Sequence, residues 1–312
     1  MYGTSLLRRV ALASVIANIG IVITGGAVRL TGSGLGCPTW PRCTDDSYVA
    51  TPEMGIYGAI EFGNRLVTFI LGAIALAGVG LALFQEPRRR RVVWLSILAF
   101  SAIPAQAVVG GFTVLTDLNP WVVGLHFLVS MAAIAAAYAF WRATTETDAP
   151  VRPTVPTALR VLTWVVLTVT AAVLVIGTFV TGSGPHAGDA NAKRNGLNPE
   201  MISQLHADVV FLLIGLVVAA WFAFRAVGAR RAEVRTAWLL GIALAQGLIG
   251  FVQYFTNLPA LLVGAHMAGS CAVWLAALAV ESATRTREPL SPVPPSPPAP
   301  ADHEPQVMIN AE

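Results

Sequence analysis

An apolar segment that ends in histidine occurs twice in this chain, at a constant offset of 140 positions. The first copy, QAVVGGFTVLTDLNPWVVGLH, runs from Gln106 to His126, and the second copy, QGLIGFVQYFTNLPALLVGAH, runs from Gln246 to His266. Within the two copies Gly110 corresponds to Gly250. An internal repeat of apolar segments indicates a membrane protein built from two similar units.

The composition favours an integral membrane protein. Hydrophobic residues make up 55% of the 312 residues and charged residues 12%, whereas about a quarter of a soluble domain is charged. This excludes an ordinary cytosolic enzyme and leaves a haem enzyme, a transporter or a membrane anchor. Eight apolar runs are long enough to span a bilayer, which takes about 20 residues. They lie near 9–28, 59–84, 92–115, 121–141, 159–181, 201–224, 236–256 and 260–282.

The distribution of basic residues predicts the orientation of these spans. With eight spans, fifteen arginines fall on the side of the two termini and only five basic residues on the other side. Because cytoplasmic loops carry the excess of Lys and Arg, we expect a multi-pass protein of the cell membrane with both termini in the cytoplasm. The net charge of +3 then reflects topology, and nucleic acid is not an expected partner.

The last residues, 288–312, differ from the rest of the chain. They include EPLSPVPPSPPAPADHEP, a proline-rich stretch that has no apolar face and cannot form a packed core. We expect a disordered cytoplasmic tail, and we expect His303 within it to have no role in a site.

The repeat extends beyond the two histidine segments. TGSG occurs at 31–34 and again at 181–184, and the segment 60–71 aligns with 202–213. We therefore predict an all-α integral membrane protein of eight transmembrane helices, arranged as two pseudo-symmetric four-helix bundles at 1–145 and 146–287. An even number of helices per bundle makes this a parallel repeat about an axis along the membrane normal.

Three histidines fall within the predicted spans at a similar depth: His126, His206 and His266. Ionisable groups inside a membrane are costly and usually mark a functional site. Histidines on facing helices of a bundle can hold a haem iron from both sides. The alternative is hydrogen bonding between helices, and zinc is disfavoured because no cysteine or carboxylate cluster lies nearby in the sequence.

The two units differ at the position of His206. Its counterpart in the first unit is Asn64, and three residues earlier Glu61 stands where the second unit has Ser203. Residues three apart share a helix face, so Glu61 and Asn64 are expected to point the same way. Glu61 could pair with Arg65, four residues later, or could face a bound substrate.

Several segments together resemble the haem A synthase family of bacteria and mitochondria. They are GGAVRLTGSGLGCPTWP at 25–41, IEFGNR at 60–65, and the dipeptides LH, LH and AH that end at the three histidines. The resemblance covers nearly all of residues 9–283. It implies a resident haem b in the C-terminal bundle, bound by His206 and His266, and a site for the substrate haem O in the N-terminal bundle.

The same resemblance implies roles for the first unit. His126 and Asn64 occupy the positions of the family's ligands for substrate haem, and Glu61 occupies the position of its functional glutamate. The implied reaction is oxidation of the C8 methyl group of haem O to a formyl group by successive hydroxylations, giving haem A for terminal oxidases. The implied partners are membrane lipid, haem O synthase (protohaem farnesyltransferase), oxidase assembly factors and further copies of the chain.

Asn64 departs from the family, which has histidine there. Because asparagine is a poor ligand for iron, we infer that His126 is the only strong axial ligand of the substrate haem. An open iron position would suit activation of O₂ or peroxide. The asparagine therefore does not by itself imply a loss of activity.

Cys37 and Cys43 bracket PTWPR in the first outer loop, and the pattern is not that of covalent haem attachment. The oxidising outer side and the family resemblance favour a disulfide, with a redox-active pair as the alternative. Arg29, Arg42 and Arg65 could pair with haem propionates or anchor the chain at the interface. Gln106 and Gln246 are expected to form hydrogen bonds between helices, with a haem pocket as the alternative. His186 is expected to be a solvated loop residue rather than a ligand. Cys271 is expected to be a packing residue.

Two other functions compete with the enzyme. A dihaem electron carrier of the cytochrome b type would need matched histidine pairs in both units, and Asn64 argues against it. A transporter with two parallel repeats would need broken helices and polar groups at mid-membrane, whereas the polar groups here cluster towards the outer face.

Overall fold

The computed structural model describes residues 4–288 and is almost entirely helical. Its eight long helices are α1 Ser5–Leu30, α2 Gly55–Leu83, α3 Arg90–Leu115, α4 Pro120–Thr145, α5 Thr157–Ser183, α6 Pro199–Ala226, α7 Arg230–Phe255 and α8 Ala260–Ala283. A 3₁₀ turn, Pro52–Met54, precedes α2. Two short strands, β1 Arg152–Pro153 and β2 Arg285–Thr286, pair antiparallel.

All eight helices are long and apolar enough to cross a membrane. This confirms the all-α, multi-pass membrane fold that the composition predicts. Apart from Glu288, the predicted tail at 288–312, with His303, lies outside the described residues.

Side-chain caps and prolines fix where several helices begin. Asn119 accepts a hydrogen bond from the backbone N–H of Trp121, and Asn198 accepts one from Met201. Proline follows each of these asparagines, at a position where its missing N–H costs no helical hydrogen bond. The largest boundary error concerns α7, which begins at Arg230 although its apolar run was predicted from 236. The charged first turn is helical because Glu233 pairs with Arg230 and Arg225.

Contacts between helices form two closed rings. The helices α1, α2, α3 and α4 contact one another in order, and α4 returns to α1. The same pattern joins α5, α6, α7 and α8. The two rings meet where α1 contacts α8 and where α4 contacts α5 and α8. The pseudo-symmetry of these rings, and the different roles of residues 1–145 and 146–287, remain predictions.

The repeat produces the same turn twice. Asp117 and Leu118 have positive φ angles of 51° and 56°, and Asn257 and Leu258, 140 positions later, have 60° and 56°. In each turn the backbone N–H of the leucine donates to a carbonyl five residues earlier, at 2.8 Å. Two consecutive non-glycine residues in the left-handed region are uncommon, so this shared geometry shows that the repeated sequence encodes a repeated structure.

The TGSG repeats differ in structure. Thr31 follows the last residue of α1, so the first TGSG lies in a turn, whereas α5 continues through Ser183 and contains most of the second. Gly34 in the first repeat donates its N–H to the carbonyl of Gly188 at 2.8 Å. The two loops that follow the repeats are therefore hydrogen-bonded to each other.

The helix connections gather at two ends of the molecule. The loop end contains 31–54, 116–119, 184–198 and 256–259. The basic end contains the connections 84–89, 146–156, 227–229 and 284–288. At the basic end Glu146 accepts hydrogen bonds from Arg91 and Arg142, each at 2.9 Å. Arg89, which is 3% exposed, donates to both carboxylate oxygens of Asp148.

Candidate functional site

His206 in α6 and His266 in α8 face each other. Their ring centres are 6.4 Å apart and the ring planes are inclined at 73°. The Nδ1 atom of each ring is buried and has no hydrogen-bond partner within residues 4–288. Buried polar atoms are normally satisfied, and the nearest backbone groups, of Val173 at His206 and of Gln246 at His266, do not reach hydrogen-bonding geometry.

The spacing of the two rings fits a metal ion held between them. An imidazole nitrogen binds a metal at about 2.0–2.1 Å and the ring centre lies about 1.1 Å beyond it, which separates two opposed rings by about 6.3 Å. The observed 6.4 Å agrees with this value. No group of three or more His, Cys, Asp or Glu in residues 4–288 could hold a metal. A haem iron needs only two ligands from the protein, and His206 and His266 are the residues that could supply both.

A glycine on the preceding helix lies against each of the three histidine rings. A Cβ atom would lie 2.9 Å from His126 Cε1 if placed at Gly110, and 3.4 Å from His266 Cε1 if placed at Gly250. At Gly177 it would lie 3.3 Å from His206 Cε1. The absence of a side chain on the neighbouring helix thus makes room for each ring.

The first unit holds His126 through its backbone. Gln106 in α3 donates hydrogen bonds to the carbonyl of His126, at 2.8 Å, and to the hydroxyl of Ser130. The hydroxyl of Ser130 in turn donates to the carbonyl of His126. The prediction that Gln106 bonds between helices is confirmed. Nδ1 of His126 is buried without a partner in the described chain, as in the other two histidines.

Asn64 takes part in a different contact. Its Oδ1 accepts a hydrogen bond of 2.7 Å from the hydroxyl of Thr24 in α1, and a Cβ atom at Gly25 would lie 3.9 Å from its Nδ2. The side chain is thus oriented by α1. The first unit therefore has an amide, held by a neighbouring helix, at the position where the second unit has the ring of His206.

Glu61 is buried beneath the loop end, with 7% of its side chain exposed. Its Oε2 accepts the backbone N–H of Cys37 at 2.7 Å, and its Oε1 pairs with Arg65 at 2.6 Å. Arg65 also donates to the carbonyls of Cys37, Thr39 and Arg42 at 3.0–3.1 Å. The pairing with Arg65, which was the structural alternative for Glu61, is present, and together the two residues bind α2 to the loop; a role of Glu61 at a substrate remains a prediction.

Cys37 and Cys43 form the predicted disulfide, closing a loop that covers the first unit. The ring of Trp40 in this loop packs directly on Gly111 of α3, where any side chain would overlap it. Gly111 is adjacent to Gly110, which faces His126. The disulfide loop therefore brings an aromatic ring close to the helix surface beside His126.

Arginines at the loop end act within the loops. Arg29 donates to the carbonyls of His186 and Thr181, at 2.7 and 2.9 Å, and joins α1 to the end of α5. Arg42 donates to the carbonyl of Asp45 at 2.7 Å. The proposed contacts of Arg29, Arg42 and Arg65 with haem propionates remain predictions.

His186 was expected to be a solvated loop residue, and this is wrong. It is half-buried, and Nε2 lies 2.9 Å from the carbonyl of Leu258, so it connects the second outer loop to the α7–α8 turn. Gln246 packs closely on Gly269 of α8. Cys271 is fully buried in a cluster with Ile134 and Leu174, as a packing residue should be.

Sequence reasoning did not find the residues that make room for the histidine rings or that hold Asn64. Gly110 and Gly250 are visible as repeat partners, but only the helix packing shows that they face the rings. Gly177 and Thr24 give no signal in the repeat. Their roles depend on which faces of α1 and α5 meet α2 and α6.

Several known proteins are similar to this chain over part or most of its length. Residues 8–190 match the COX15-CtaA family, described as cytochrome oxidase assembly protein. A heme A synthase of Lysinibacillus sphaericus is 35% identical over 124 residues, covering 39% of this chain and 40% of that protein. One from Exiguobacterium sibiricum is 30% identical over 166 residues, covering 53% and 55%.

A longer match has lower identity. The heme A synthase of Symbiobacterium thermophilum is 26% identical over 262 residues, covering 77% of this chain and 83% of that protein. The chain spans about half the length or less of the first two relatives. The family match itself takes in more than half of the 312 residues, and the chain therefore belongs to the COX15-CtaA family of cytochrome oxidase assembly proteins.

Proposed function

We propose that this protein is a haem A synthase, a membrane oxidoreductase that converts the C8 methyl group of haem O to a formyl group by successive hydroxylations. The observation that carries the proposal is the inequality of the two histidine sites. His206 and His266 form a facing pair at 6.4 Å, whereas His126 has Asn64 and Glu61 as counterparts in its unit. A haem that stays bound as a cofactor needs two facing histidines. A substrate haem that reacts and then leaves suits a site with a single histidine.

In the second unit, His206 and His266 hold haem b between α6 and α8. When bound, haem b supplies one-electron transfer. Gly177 and Gly250 leave space for the two rings, so both imidazoles can approach the same iron. The protein's contribution at this site is to fix the ligands and exclude water.

In the first unit, His126 binds the iron of the substrate haem O. Gln106 and Ser130 donate hydrogen bonds to the carbonyl of His126. These bonds hold the backbone of α4 at the residue that carries the imidazole ring. Asn64 is held towards Thr24 and would supply no strong ligand to this iron, so that O₂ or peroxide could bind there. Open coordination of this kind favours oxygen chemistry over simple electron transfer.

Glu61 places a negative charge next to the first unit's site. Its carboxylate orients water or accepts a proton as the methyl group is oxidised, and it stabilises positive charge that develops on the methyl carbon. Arg65 and the N–H of Cys37 hold the carboxylate in place. Trp40 and the disulfide loop cover the site and limit the entry of water.

The same proposal includes the membrane location and the partners of the protein. The protein lies in the cell membrane with both termini and the basic end in the cytoplasm, and its loop end on the outer side. Haem O synthase supplies the substrate, oxidase assembly factors receive the product, and the chain associates with further copies of itself.

Haem extraction tests this function. The full chain is expressed in a membrane that lacks haem A, together with a haem O synthase, and the extracted haems are separated by chromatography. We expect haem A, and we expect Glu61→Gln to yield haem O and haem b without haem A. If the folded wild-type protein yields haem b and unchanged haem O, the enzyme is excluded and a dihaem electron carrier is favoured.

A further inference from the structure

A groove at the basic end lies between the two helix rings. It has a volume of about 470 Å³ and is lined by residues of α1, α4, α7 and α8. Its walls are apolar and include Leu12 and Ile16 from α1 and Leu275 from α8. Leu12 and Ile16 are 40% and 60% exposed, so the groove is open on the side that faces the bilayer.

Three arginines line the basic end of this groove: Arg142, Arg231 and Arg235. Arg142 is turned towards Glu146, with which it pairs at 2.9 Å. The ion pairs of residues 4–288 include neither Arg231 nor Arg235. Both of these side chains are exposed. Two positive charges are thus placed, without a described partner, at the end of an apolar groove.

Aromatic side chains surround the same end. Trp238, which is 65% exposed, and Trp141 line the groove beside the arginines. Tyr138 also lines it and bonds through its hydroxyl to Ser282 at 2.9 Å. Tryptophan and tyrosine concentrate at the depth of lipid headgroups. The arginines and these rings therefore place the basic end of the groove at the headgroup level.

We propose that this groove binds one anionic phospholipid. The phosphate headgroup lies against Arg231 and Arg235, and an acyl chain follows Leu12, Ile16 and Leu275 towards the middle of the membrane. Negative lipid charge is attracted to arginine near a membrane surface, and the apolar wall matches a hydrocarbon chain. A zwitterionic lipid would fill the groove but would leave the net positive charge uncompensated.

The bound lipid joins the two rings. It contacts α1 and α4 of one ring and α7 and α8 of the other, where protein contacts between the rings leave a gap. Tyr138 follows His126 by twelve residues in α4, or about 18 Å along the axis at 1.5 Å per residue. The lipid site is therefore separate from the histidine sites, and the proposal does not depend on haem A synthase activity.

Tryptophan fluorescence of the full chain tests the proposal, because Trp141 and Trp238 lie in the groove. The protein is reconstituted into nanodiscs of phosphatidylcholine that contain increasing fractions of brominated phosphatidylglycerol or brominated phosphatidylcholine, whose bromines quench nearby tryptophan. We expect half-maximal quenching at a fraction of the anionic lipid about thirty-fold lower, the ratio that about 1 kcal/mol from each of the two arginines gives. Trp238→Phe should remove most of this difference.

A matched pair of double variants tests the role of the two arginines. Arg231→Gln with Arg235→Gln should abolish the preference for the anionic lipid. Arg88→Gln with Arg160→Gln removes the same charge from exposed sites outside the groove, and should leave the preference intact. Circular dichroism confirms that both variants remain helical.

Three outcomes would overturn the proposal. The first is equal quenching by both lipids in the wild type. The second is loss of the preference in both double variants, which would reflect general attraction to the protein's positive charge. The third is a stable dimer, shown by light scattering, in which Trp238 is protected from both brominated lipids, because the groove would then be an interface between two copies.

Discussion

The carboxylate of Glu61 accepts a hydrogen bond from the backbone N–H of Cys37 at 2.7 Å, which joins α2 to the disulfide loop. The same carboxylate pairs with Arg65, which holds three carbonyls of that loop. Glu61 is therefore a structural link, and in the proposed function it is also the carboxylate that acts on the substrate. Experiments must separate these two roles.

Glu61→Gln separates them, because the amide oxygen of glutamine can still accept the N–H of Cys37. The contact with Cys37 should stay in place while the negative charge and the pairing with Arg65 are lost. We expect the rate of haem A formation to fall by at least about 100-fold, the usual effect of removing a general acid or base, with haem b absorbance unchanged. Arg65→Gln is the control, since it weakens the loop contacts and keeps Glu61. An equal loss of activity in both variants would assign Glu61 a structural role alone.

Asn64→His tests the open axial position. A histidine there would place a second imidazole opposite His126, as His206 stands opposite His266. We expect substrate haem in the wild type to be high-spin and in the variant to be low-spin, with haem A formation reduced. Electron paramagnetic resonance of the haem-O-loaded protein distinguishes the two states. A low-spin signal from this haem in the wild type would contradict the account.

Gly110→Ala and Gly250→Ala form a matched pair. A Cβ atom at Gly110 would lie 2.9 Å from the ring of His126, closer than side chains tolerate, while at Gly250 it would lie 3.4 Å from His266. The ring of His126 must therefore move and that of His266 need only adjust slightly. We expect Gly110→Ala to reduce haem O binding by about ten-fold or more, because a small misplacement of a reacting group is costly. Gly250→Ala should keep its haem b absorbance. A larger loss of haem from Gly250→Ala than from Gly110→Ala would refute the idea that these glycines make room for the rings.

The cluster at the basic end predicts a loss of stability in acid. Burial raises the pKa of Glu146, but the hydrogen bond from Arg91 and the charge of Arg142 outweigh it and hold the pKa below its ordinary 4.5. A carboxylate with a lowered folded-state pKa stabilises the fold above that ordinary value, and this stability is lost as the pH falls through the folded-state pKa.

Thermal unfolding in detergent at pH 7 and pH 4 measures this effect. Glu146→Gln should lower the unfolding free energy at pH 7 by about 2 kcal/mol, since hydrogen bonds to charged groups contribute about 1.5–3 kcal/mol. The variant should also lose less stability than the wild type between pH 7 and pH 4. Glu86→Gln, at an exposed position of the same end, should change neither value. Identical pH dependence in wild type and Glu146→Gln would contradict this assignment.

Patterns that recur along the chain could be read from the sequence, and contacts between helices could not. Apolar runs predict all eight helices because a bilayer imposes their length. The offset of 140 between His126 and His266 predicts the shared turns. However, Thr24 reaches Asn64, and Arg29 reaches His186, across distant parts of the chain. Such contacts depend on helix rotation and on loop conformation, which no local pattern encodes.

The difference between the two histidine sites is the central claim, and a pyridine haemochrome assay tests it most directly. Wild type, His206→Ala and His126→Ala are purified from cells that produce haem O. We predict that His206→Ala loses haem b, and that His126→Ala retains haem b but contains neither bound haem O nor haem A. Loss of haem b from His126→Ala but not from His206→Ala would contradict the assignment of the two sites.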